Sequence, residues 1–226
     1  MSHVLNIAHR GFTRVFPDNT LEAFEAAIQI GADGIECDVH ETADHEFVVF
    51  HDAELSGRDI VTLSLGEIQA VRLEEKFGIP TLEQTLALCR GRVRSVVELK
   101  RVYSLDRLIA LVRAILGPTE AVLTSFNPEL VSAAARLAPE IPTGIVTAFA
   151  VTDPIGLAQS TGSDLIVVRS PFASAELAEE LHAHSLSLFV WGCADGGDVR
   201  DALVSQVDGI ISDFPELVAR ELRGAP

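Results

Sequence analysis

Two short stretches of this 226-residue sequence carry charged residues at a spacing of two. Glu36 and Asp38 lie in GIECDV, and Glu98 precedes Lys100 by two positions in VVELK. Side chains two residues apart on a β-strand point to the same face, so each pair can reach one site. Three carboxylates held together repel one another unless a cation neutralises them. Because oxygen ligands favour a hard ion, the pattern predicts one divalent metal, Mg²⁺ or Ca²⁺, held by Glu36, Asp38 and Glu98.

The alternative interpretation is that these charged residues are only the solvated ends of two strands. A single acidic pair would favour that interpretation, but two polar pairs at consecutive strand ends favour a functional site. A zinc site is not predicted, because the three cysteines are widely separated and include no CxxC pair. The same cysteine pattern is typical of a reducing compartment, so the chain is expected to be cytoplasmic.

Two histidines also stand at the ends of strand-like runs. His9 closes LNIAH, and His51 follows EFVVF and precedes Asp52. Imidazole titrates near neutral pH and is the group most often used as a general acid or base, so His9 and His51 are predicted to be an acid–base pair. His40 is left out of the site because it lies beyond the expected strand end. The remaining histidines are interpreted as surface residues: His3, His45, His182 and His184.

The elements that must position these residues follow a repeated pattern. Eight β-branched runs are each followed by a segment of helical character: LNIA, GIECDV, SVVELK, AVLTSF, TGIVTA, DLIVVR, LSLFVW and DGIISD. Strict alternation of strand and helix requires a parallel sheet. Eight units favour a closed α/β fold, the (β/α)8 TIM barrel, over an open doubly wound sheet. The strand ends of a barrel surround a common axis, which would bring the three carboxylates beside His9.

One segment interrupts the alternation. Between GIECDV and SVVELK lie more than fifty residues with an extra strand-like run, EFVVFHD. Loops of this length without a function are uncommon, so the segment is interpreted as an excursion over the top of the barrel. The sequence predicts a single domain over residues 1–226 with an insertion after the second strand, at approximately 40–94. Asn19 is predicted to be the N-cap of the first helix, in DNTLEAFEAAIQIG.

Composition limits the possible partners. The formal net charge is −16 at pH 7, which argues against nucleic acid and anionic membrane surfaces as partners, since both are polyanions. An anionic small substrate would need a metal ion or a few well-placed arginines and lysines. No run of ~18 apolar residues and no leader segment is recognised, so no stable membrane association is expected.

Several motifs follow one another in a definite order from His9 to Pro215. They are HRG, PDNT, GADGIECDVHET, VVFHD, IPTLEQTL, ELK, TSF, a single tryptophan at position 191, and VDGIISDFP. In order and spacing they resemble the glycerophosphodiester phosphodiesterase family, over nearly the whole chain. The resemblance implies a (β/α)8 barrel with an insertion after the second strand. It also implies a phosphoric diester hydrolase that uses a metal to convert small anionic glycerophosphodiesters to sn-glycerol 3-phosphate and an alcohol.

The resemblance implies a role for each matching residue. His9 and His51 would be the acid–base pair, and Arg10 would contact the phosphate. Lys100 would complete the electrostatic clamp on the phosphoryl oxygens, and Trp191 would form a wall for the glycerol group. The metal ligands would be Glu36, Asp38 and Glu98.

Two positions depart from the family pattern. Asp18 stands in PDNT where the family usually has Glu, and Gly192–Asp195 follow Trp191 where the family usually has Thr, an apolar residue and Asn. These departures leave the fine substrate preference open. The sequence also leaves open the head group, the metal used and the oligomeric state.

Two other functions remain beside the leading one. The first is a lysophospholipase D-type hydrolase, against which the lack of a predicted membrane anchor or exposed aromatic-rich segment counts. The second is a catalytically silent barrel that acts as a binding protein. The presence of both histidines and all three carboxylates argues against this loss of activity, because a degenerate enzyme commonly loses one of them.

Overall fold

Eight parallel strands close into a barrel in the computed structural model, which describes residues 3–117 and 119–224. In chain order the barrel strands are Leu5–His9, Gly34–Glu41, Arg94–Arg101, Ala121–Ser125, Thr143–Thr147, Leu165–Arg169, Ser187–Trp191 and Gly209–Ser212. Each barrel strand pairs with the next one, and the first also pairs with the eighth. The predicted (β/α)8 TIM barrel is confirmed, and the sheet is closed rather than open.

Alternate residues of these strands point into and out of the barrel. The inward residues form one apolar cluster, made of Ile7, Val96, Val122, Val146, Leu165, Val167, Phe189 and Ile211. Outward residues such as Ile35, Val97 and Ile166 pack in the clusters between the sheet and the helices. Burial of both faces explains why the strands read as nearly continuous apolar runs. The inward rows become polar only towards the carboxyl ends of the strands.

A helix follows each barrel strand and covers the outside of the sheet. The helices are Leu21–Gln29, Leu82–Cys89, Leu105–Ile115, Pro128–Leu137, Pro154–Thr161, Ala175–Ala183, Gly196–Val204 and Pro215–Gly224. The first begins after Thr20, whose hydroxyl accepts a hydrogen bond from Ala23 N at 3.2 Å. The prediction of Asn19 as the N-cap is therefore wrong by one residue. No helix in these two described ranges is long and apolar enough to cross a membrane.

Glu41, the last residue of the second barrel strand, anchors the start of helix Leu105–Ile115. Its buried carboxylate accepts hydrogen bonds from the backbone N–H groups of Tyr103 and Ser104, both at 2.7 Å, and from Ser104 Oγ at 2.8 Å. His45 Nδ1 lies 2.7 Å from the same carboxylate. Burial raises the pKa of Glu41, but these hydrogen bonds outweigh it and lower the pKa to about 2.

The insertion occupies residues 42–81 and contains small elements of its own. A short strand, Phe47–Val49, pairs antiparallel with the second barrel strand. Two hairpins, a 3₁₀ turn and the helix Leu65–Gln69 follow it. They enclose a separate apolar cluster that includes Ile60 and Ile68. The insertion is shorter than the predicted 40–94, because helix Leu82–Cys89 packs in the main core as the second barrel helix.

Candidate active site

A pocket of about 140 Å³ opens at the carboxyl ends of the barrel strands, where (β/α)8 barrels place their active sites. Its polar side consists of His9, Arg10, Glu36, His51, Glu98 and Lys100. The rest of its wall is largely apolar and consists of Thr124, Phe126, Val146, Val167, Trp191 and Ile211. Seven of the eight residues predicted for the site therefore line one pocket. The eighth, Asp38, is buried behind the polar side.

The three predicted metal ligands lie together. One carboxylate oxygen from each of Glu36, Asp38 and Glu98 lies within 4.8 Å of the other two. Among the described residues, Glu36 Oε1 is buried and has neither a hydrogen-bond partner nor an ion pair. A buried carboxylate oxygen without a partner is costly and calls for a ligand. The oxygen-only donor set and this unpartnered atom fit a hard divalent cation.

Two basic side chains offset part of the negative charge. Lys100 Nζ lies 3.0 Å from Asp38 Oδ1 and also contacts Glu98 Oε1. Arg10 Nε lies 3.1 Å from Asp38 Oδ2. Burial opposes ionisation of Asp38, but Lys100 and Arg10 outweigh it, and the pKa of Asp38 is lowered. Burial also favours neutral Lys100, but Asp38 and Glu98 raise its pKa, so Lys100 remains a cation.

The other two carboxyls are affected in the opposite direction. Burial raises the pKa of Glu36 well above its ordinary value, and repulsion from Asp38 and Glu98 raises it further. Burial also raises the pKa of Glu98, although Lys100 opposes this effect. Arg10 and Lys100 thus leave part of the charge of the cluster uncompensated. A divalent cation would allow all three carboxyls to ionise together.

His9 is oriented by a carboxylate that is distant in sequence but lies at the same mouth of the barrel. Its Nδ1 lies 2.7 Å from Oδ1 of Asp213, which follows the eighth strand, and this hydrogen bond lowers the pKa of Asp213. A carboxylate acceptor requires the proton of neutral His9 on Nδ1, which leaves Nε2 to exchange a proton. His9 Nε2 lies 3.9 Å from Glu36 Oε2, beside the carboxylate cluster.

His51 reaches the pocket from the insertion and has a similar partner. Its Nδ1 lies 2.8 Å from Oδ1 of Asp52. Its carbonyl oxygen lies 3.3 Å from Nε2 of His40, a buried residue of the second barrel strand. This strand extends to Glu41, beyond the predicted strand end. His40 does not line the pocket but contacts the backbone that carries His51.

The loop after the first barrel strand holds an unusual backbone conformation. Arg10 has a φ of +56° and Asn19 a φ of +57°, a region that costs energy for residues other than glycine. A Cβ on Gly11 would lie 2.7 Å from Ala23, so this position requires glycine. Asn19 holds the loop against Asp38 with two hydrogen bonds: Nδ2 donates to Oδ2 at 2.9 Å, and Oδ1 accepts from the Asp38 N–H at 3.2 Å.

The apolar wall of the pocket is centred on Trp191, at the end of the seventh strand. Its indole N–H donates a hydrogen bond to the carbonyl of Thr147 at 3.0 Å. The ring of Phe126 packs edge-on against it with a centroid distance of 6.0 Å. Lys100 Nζ lies 5.7 Å from the Phe126 ring centroid, where the two sides of the pocket meet. The wall suits the carbon portion of a ligand whose charged group lies near Lys100.

An arc of exposed aromatic side chains stands on one side of the mouth. It consists of Tyr103, Phe126, Phe149 and Phe172, which follow the third, fourth, fifth and sixth barrel strands respectively. These strands are successive neighbours in the barrel. The arc was not expected because no single segment of the sequence is rich in aromatics. It forms only when four separate loops meet at one end of the barrel.

Three polar residues of the site have contacts that the sequence did not indicate. Asp213 lies within the motif VDGIISDFP, and its position just after a strand run was the available signal. Asp52 was noted only as the neighbour of His51. Asn19 was assigned to helix capping, although its amide binds Asp38. In each case the sequence did not reveal the contact partner.

Comparison with known proteins gives one consistent result. The model of the glycerophosphoryl diester phosphodiesterase family matches residues 9–217. A glycerophosphodiester phosphodiesterase of Caldanaerobacter subterraneus subsp. tengcongensis is 30% identical over 240 residues, covering 97% of this chain and 98% of the relative.

Solved structures agree with the fold. The crystal structure of a glycerophosphodiester phosphodiesterase from Agrobacterium tumefaciens superposes with a TM-score of 0.84 at 27% identity, covering 97% of this chain and 100% of that one. An Oleispira antarctica phosphodiesterase was solved in complex with its product, sn-glycerol-3-phosphate. It superposes with a TM-score of 0.88 at 21% identity, over 97% of this chain and 96% of that chain. At this identity the likeness concerns the fold alone.

Proposed function

Since the chain belongs to the glycerophosphoryl diester phosphodiesterase family and is a phosphoric diester hydrolase, we propose that it hydrolyses glycerophosphodiesters to sn-glycerol 3-phosphate and an alcohol. In this reaction a water oxygen bonds to phosphorus, the bond from phosphorus to the alcohol oxygen breaks, and the alcohol leaves with a proton. The reaction needs charge neutralisation at the phosphate, a base for the water and an acid for the alcohol. The polar side of the pocket offers groups for all three tasks.

Glu36, Asp38 and Glu98 would hold one divalent cation, Mg²⁺ or Ca²⁺. The observation that carries this assignment is the buried Glu36 Oε1, which lacks a partner among the described residues and lies beside two further carboxylates. When bound, such an ion polarises phosphoryl oxygens and lowers the pKa of a water. Asn19 would support these ligands, because its side-chain amide makes two hydrogen bonds to Asp38, one through Nδ2 and one through Oδ1.

Arg10 and Lys100 would bind the non-bridging phosphoryl oxygens. Both line the pocket. Burial lowers the pKa of Arg10, but Asp38 and Glu36 outweigh this effect and the net pKa is raised, as it is for Lys100. Both side chains therefore stay charged at neutral pH. They would supply the local positive charge that an acidic protein needs to hold an anionic substrate.

His9 and His51 would divide the proton transfers between them. In both residues Nδ1 is engaged by a carboxylate, of Asp213 and Asp52 respectively. Nε2 of each ring is left to take a proton from the water or give one to the departing alcohol. Both rings have the same kind of Nδ1–carboxylate contact, and the pH dependence of kcat in the two single variants would assign the acid and the base.

A coupled assay for glycerol 3-phosphate tests this function. The protein is stripped with chelator and assayed on several glycerophosphodiesters with and without added Mg²⁺ or Ca²⁺. We expect activity to fall to background in chelator and to return with the ion. Full activity in excess chelator would contradict the metal site. No release from any glycerophosphodiester by metal-loaded protein would contradict the function and favour the catalytically silent barrel.

A lysophospholipase D-type activity is a second candidate, favoured by the aromatic arc. Exposed aromatic side chains beside the pocket offer apolar surface to an acyl chain. The test compares lysophosphatidylcholine with glycerophosphocholine in the wild type and in Phe149→Ser, whose side chain is 78% exposed in the wild type. A loss of activity in Phe149→Ser that is confined to the lysophospholipid supports this candidate. A variant that matches the wild type on each of the two substrates contradicts it.

We also propose that the protein acts in the cytoplasm as a single domain over residues 1–226. Cys37, Cys89 and Cys193 are all free and buried, as expected in a reducing compartment. Thiol titration without reductant under native conditions should find all three thiols slow to react. A rapidly formed disulfide would contradict the proposed compartment.

A further inference from the structure

Arg169 is a cation at the mouth that the proposed chemistry does not use. It ends the sixth barrel strand and continues the inward row of Leu165 and Val167. It is paired in register with Trp191 on the seventh strand. Its guanidinium carbon lies 5.9 Å from the Trp191 ring centroid. Arg169 is exposed, so its charged group borders the apolar wall at the outer edge of the pocket.

Other cations around the mouth are already paired with carboxylates. Arg10 and Lys100 contact Asp38. Arg101 lies 2.7 Å from Asp59. Arg169 has no ion pair and no hydrogen bond with any residue in the described ranges, in a chain of formal net charge −16. The positive charge of Arg169 is therefore not neutralised by a carboxylate of the described residues and is available to a ligand.

Gly192 follows Trp191 and lies beside the stem of Arg169. Its φ is +76°, which disfavours other residues, and a Cβ there would be in ordinary van der Waals contact with Arg169 Cγ, at 3.7 Å.

We propose that Arg169 makes the enzyme selective for the charge of the alcohol portion of the substrate. It would favour alcohols with an anionic group over alcohols with a quaternary ammonium. This inference rests on the proposed function. Arg169 does not line the pocket itself but stands at its rim beside Trp191, where the alcohol arm of a diester whose phosphate lies near Lys100 would pass. The guanidinium attracts a phosphate or carboxylate there and repels a cation. It also borders Trp191, the ring that would otherwise attract a quaternary ammonium.

The test uses three substrates that share the glycerophosphoryl group. Glycerophosphocholine has a cationic alcohol, glycerophosphoglycerol a neutral one, and bis(glycerophospho)glycerol one that carries a second phosphate. We expect Arg169→Gln to reduce the kcat/KM ratio of the third substrate to the first by about fivefold, the size of one exposed charge interaction. Arg169→Glu should reduce it further, and Arg169→Lys should retain most of it. The difference between proteins should shrink towards 1 M salt, where charges are screened within about 3 Å.

Arg136→Gln is the matched control, because it removes one positive charge at the C-terminal end of helix Pro128–Leu137, away from the mouth. It should leave the ratio unchanged. An equal loss on all three substrates in Arg169→Gln would place Arg169 on the common phosphate and overturn the inference, as would an unchanged ratio. Binding of the same compounds to metal-loaded protein is followed by fluorescence of Trp191, the single tryptophan. If no substrate is turned over, the proposed function fails, while the ratio of Kd values still decides the role of Arg169.

Discussion

The two sides of the barrel mouth are built from the same repeated unit but end in opposite chemistry. The first three strands end near His9, Asp38 and Lys100, whereas Phe126 follows the fourth strand and Trp191 ends the seventh. Both sides rest on one apolar interior cluster. The polar side carries buried charges that oppose folding, and the apolar side carries surface that favours it. Under the proposed function, the polar side would hold and react with the phosphate, and the apolar side would hold the carbon portion of the substrate.

The largest effect expected on the polar side is the loss of His9. His9→Ala should lower kcat by roughly 10²–10⁴-fold, the range attributed to general acid–base catalysis, with metal affinity nearly unchanged. His184→Ala is the control, because His184 is exposed and its ring contacts the carbonyl of Glu180 on the outside of the barrel. Steady-state kinetics with saturating metal provide the measurement. Near wild-type kcat in His9→Ala would remove this histidine from the mechanism and weaken the contrast between the two sides.

The carboxylate cluster of Glu36, Asp38 and Glu98 should make the melting temperature of the protein depend on a bound divalent ion. Saturating metal at ~100 times its Kd stabilises a protein by about 2.7 kcal/mol. At roughly 2–4 °C per kcal/mol for a domain of this size, the wild type should gain on the order of 5–10 °C. Glu36→Gln removes a proposed ligand and a buried carboxyl whose ionisation Asp38 and Glu98 oppose, so it should leave the Tm of the metal-free protein unchanged or higher and abolish the gain from metal. Melts with and without Mg²⁺ or Ca²⁺ measure both effects.

A full metal-induced shift in Glu36→Gln would show that Glu36 is not a ligand. His9→Ala should retain most of the shift, because imidazole is assigned to proton transfer.

Glu41 lies on the same strand as Glu36, but its carboxylate is fully hydrogen-bonded, whereas one carboxylate oxygen of Glu36 has no partner among the described residues. Glu41→Gln should lower the free energy of unfolding at pH 7 by about 2 kcal/mol, the scale of charge-assisted hydrogen bonds. The lowered pKa means that this stabilisation is present above the ordinary pKa of 4.5 and is lost as pH falls towards about 2. Chemical denaturation at pH 7 and pH 3 should find a smaller difference between the two proteins at pH 3. A difference that grows on acidification would contradict the assignment.

The smallest effect is expected on the apolar side. Trp191→Leu removes part of the wall and the N–H donor to Thr147, so KM should rise by about tenfold while kcat changes less. Phe172→Leu, on the outer arc, is the control and should leave both constants near wild type on small diesters. A loss of kcat in Trp191→Leu as large as that in His9→Ala would mean that the two sides do not divide binding and chemistry as proposed.

The sequence predicts well which polar residues follow the apolar strand runs, because both are local features. His9, Glu36 and Glu98 could be placed at one mouth once eight alternating units were counted. His51 could be placed there only as part of an excursion whose path the sequence does not specify. The exact ends of elements were less accurate, and the second barrel strand continues through His40 to Glu41.

The contacts between distant segments could not be predicted. The pairing of His9 with Asp213 spans 204 positions and depends on the eighth strand closing against the first. The bond from Asn19 to Asp38 depends on a left-handed backbone at Asn19, which capping preferences did not reveal. The aromatic arc likewise depends on the order of strands around the barrel. Each of these is a property of the closed ring rather than of any one segment.

Closure of the barrel has a consequence for the chain while it is being synthesised. The first strand, Leu5–His9, is made before the strand Gly209–Ser212 that pairs with one of its edges. Until that last strand leaves the ribosome, the nascent chain exposes an unpaired strand edge, and such edges recruit other chains. The carboxylate partner of His9 emerges with the same late segment. A chain arrested before residue 209 therefore combines an aggregation-prone edge with a histidine that has not received its orienting partner.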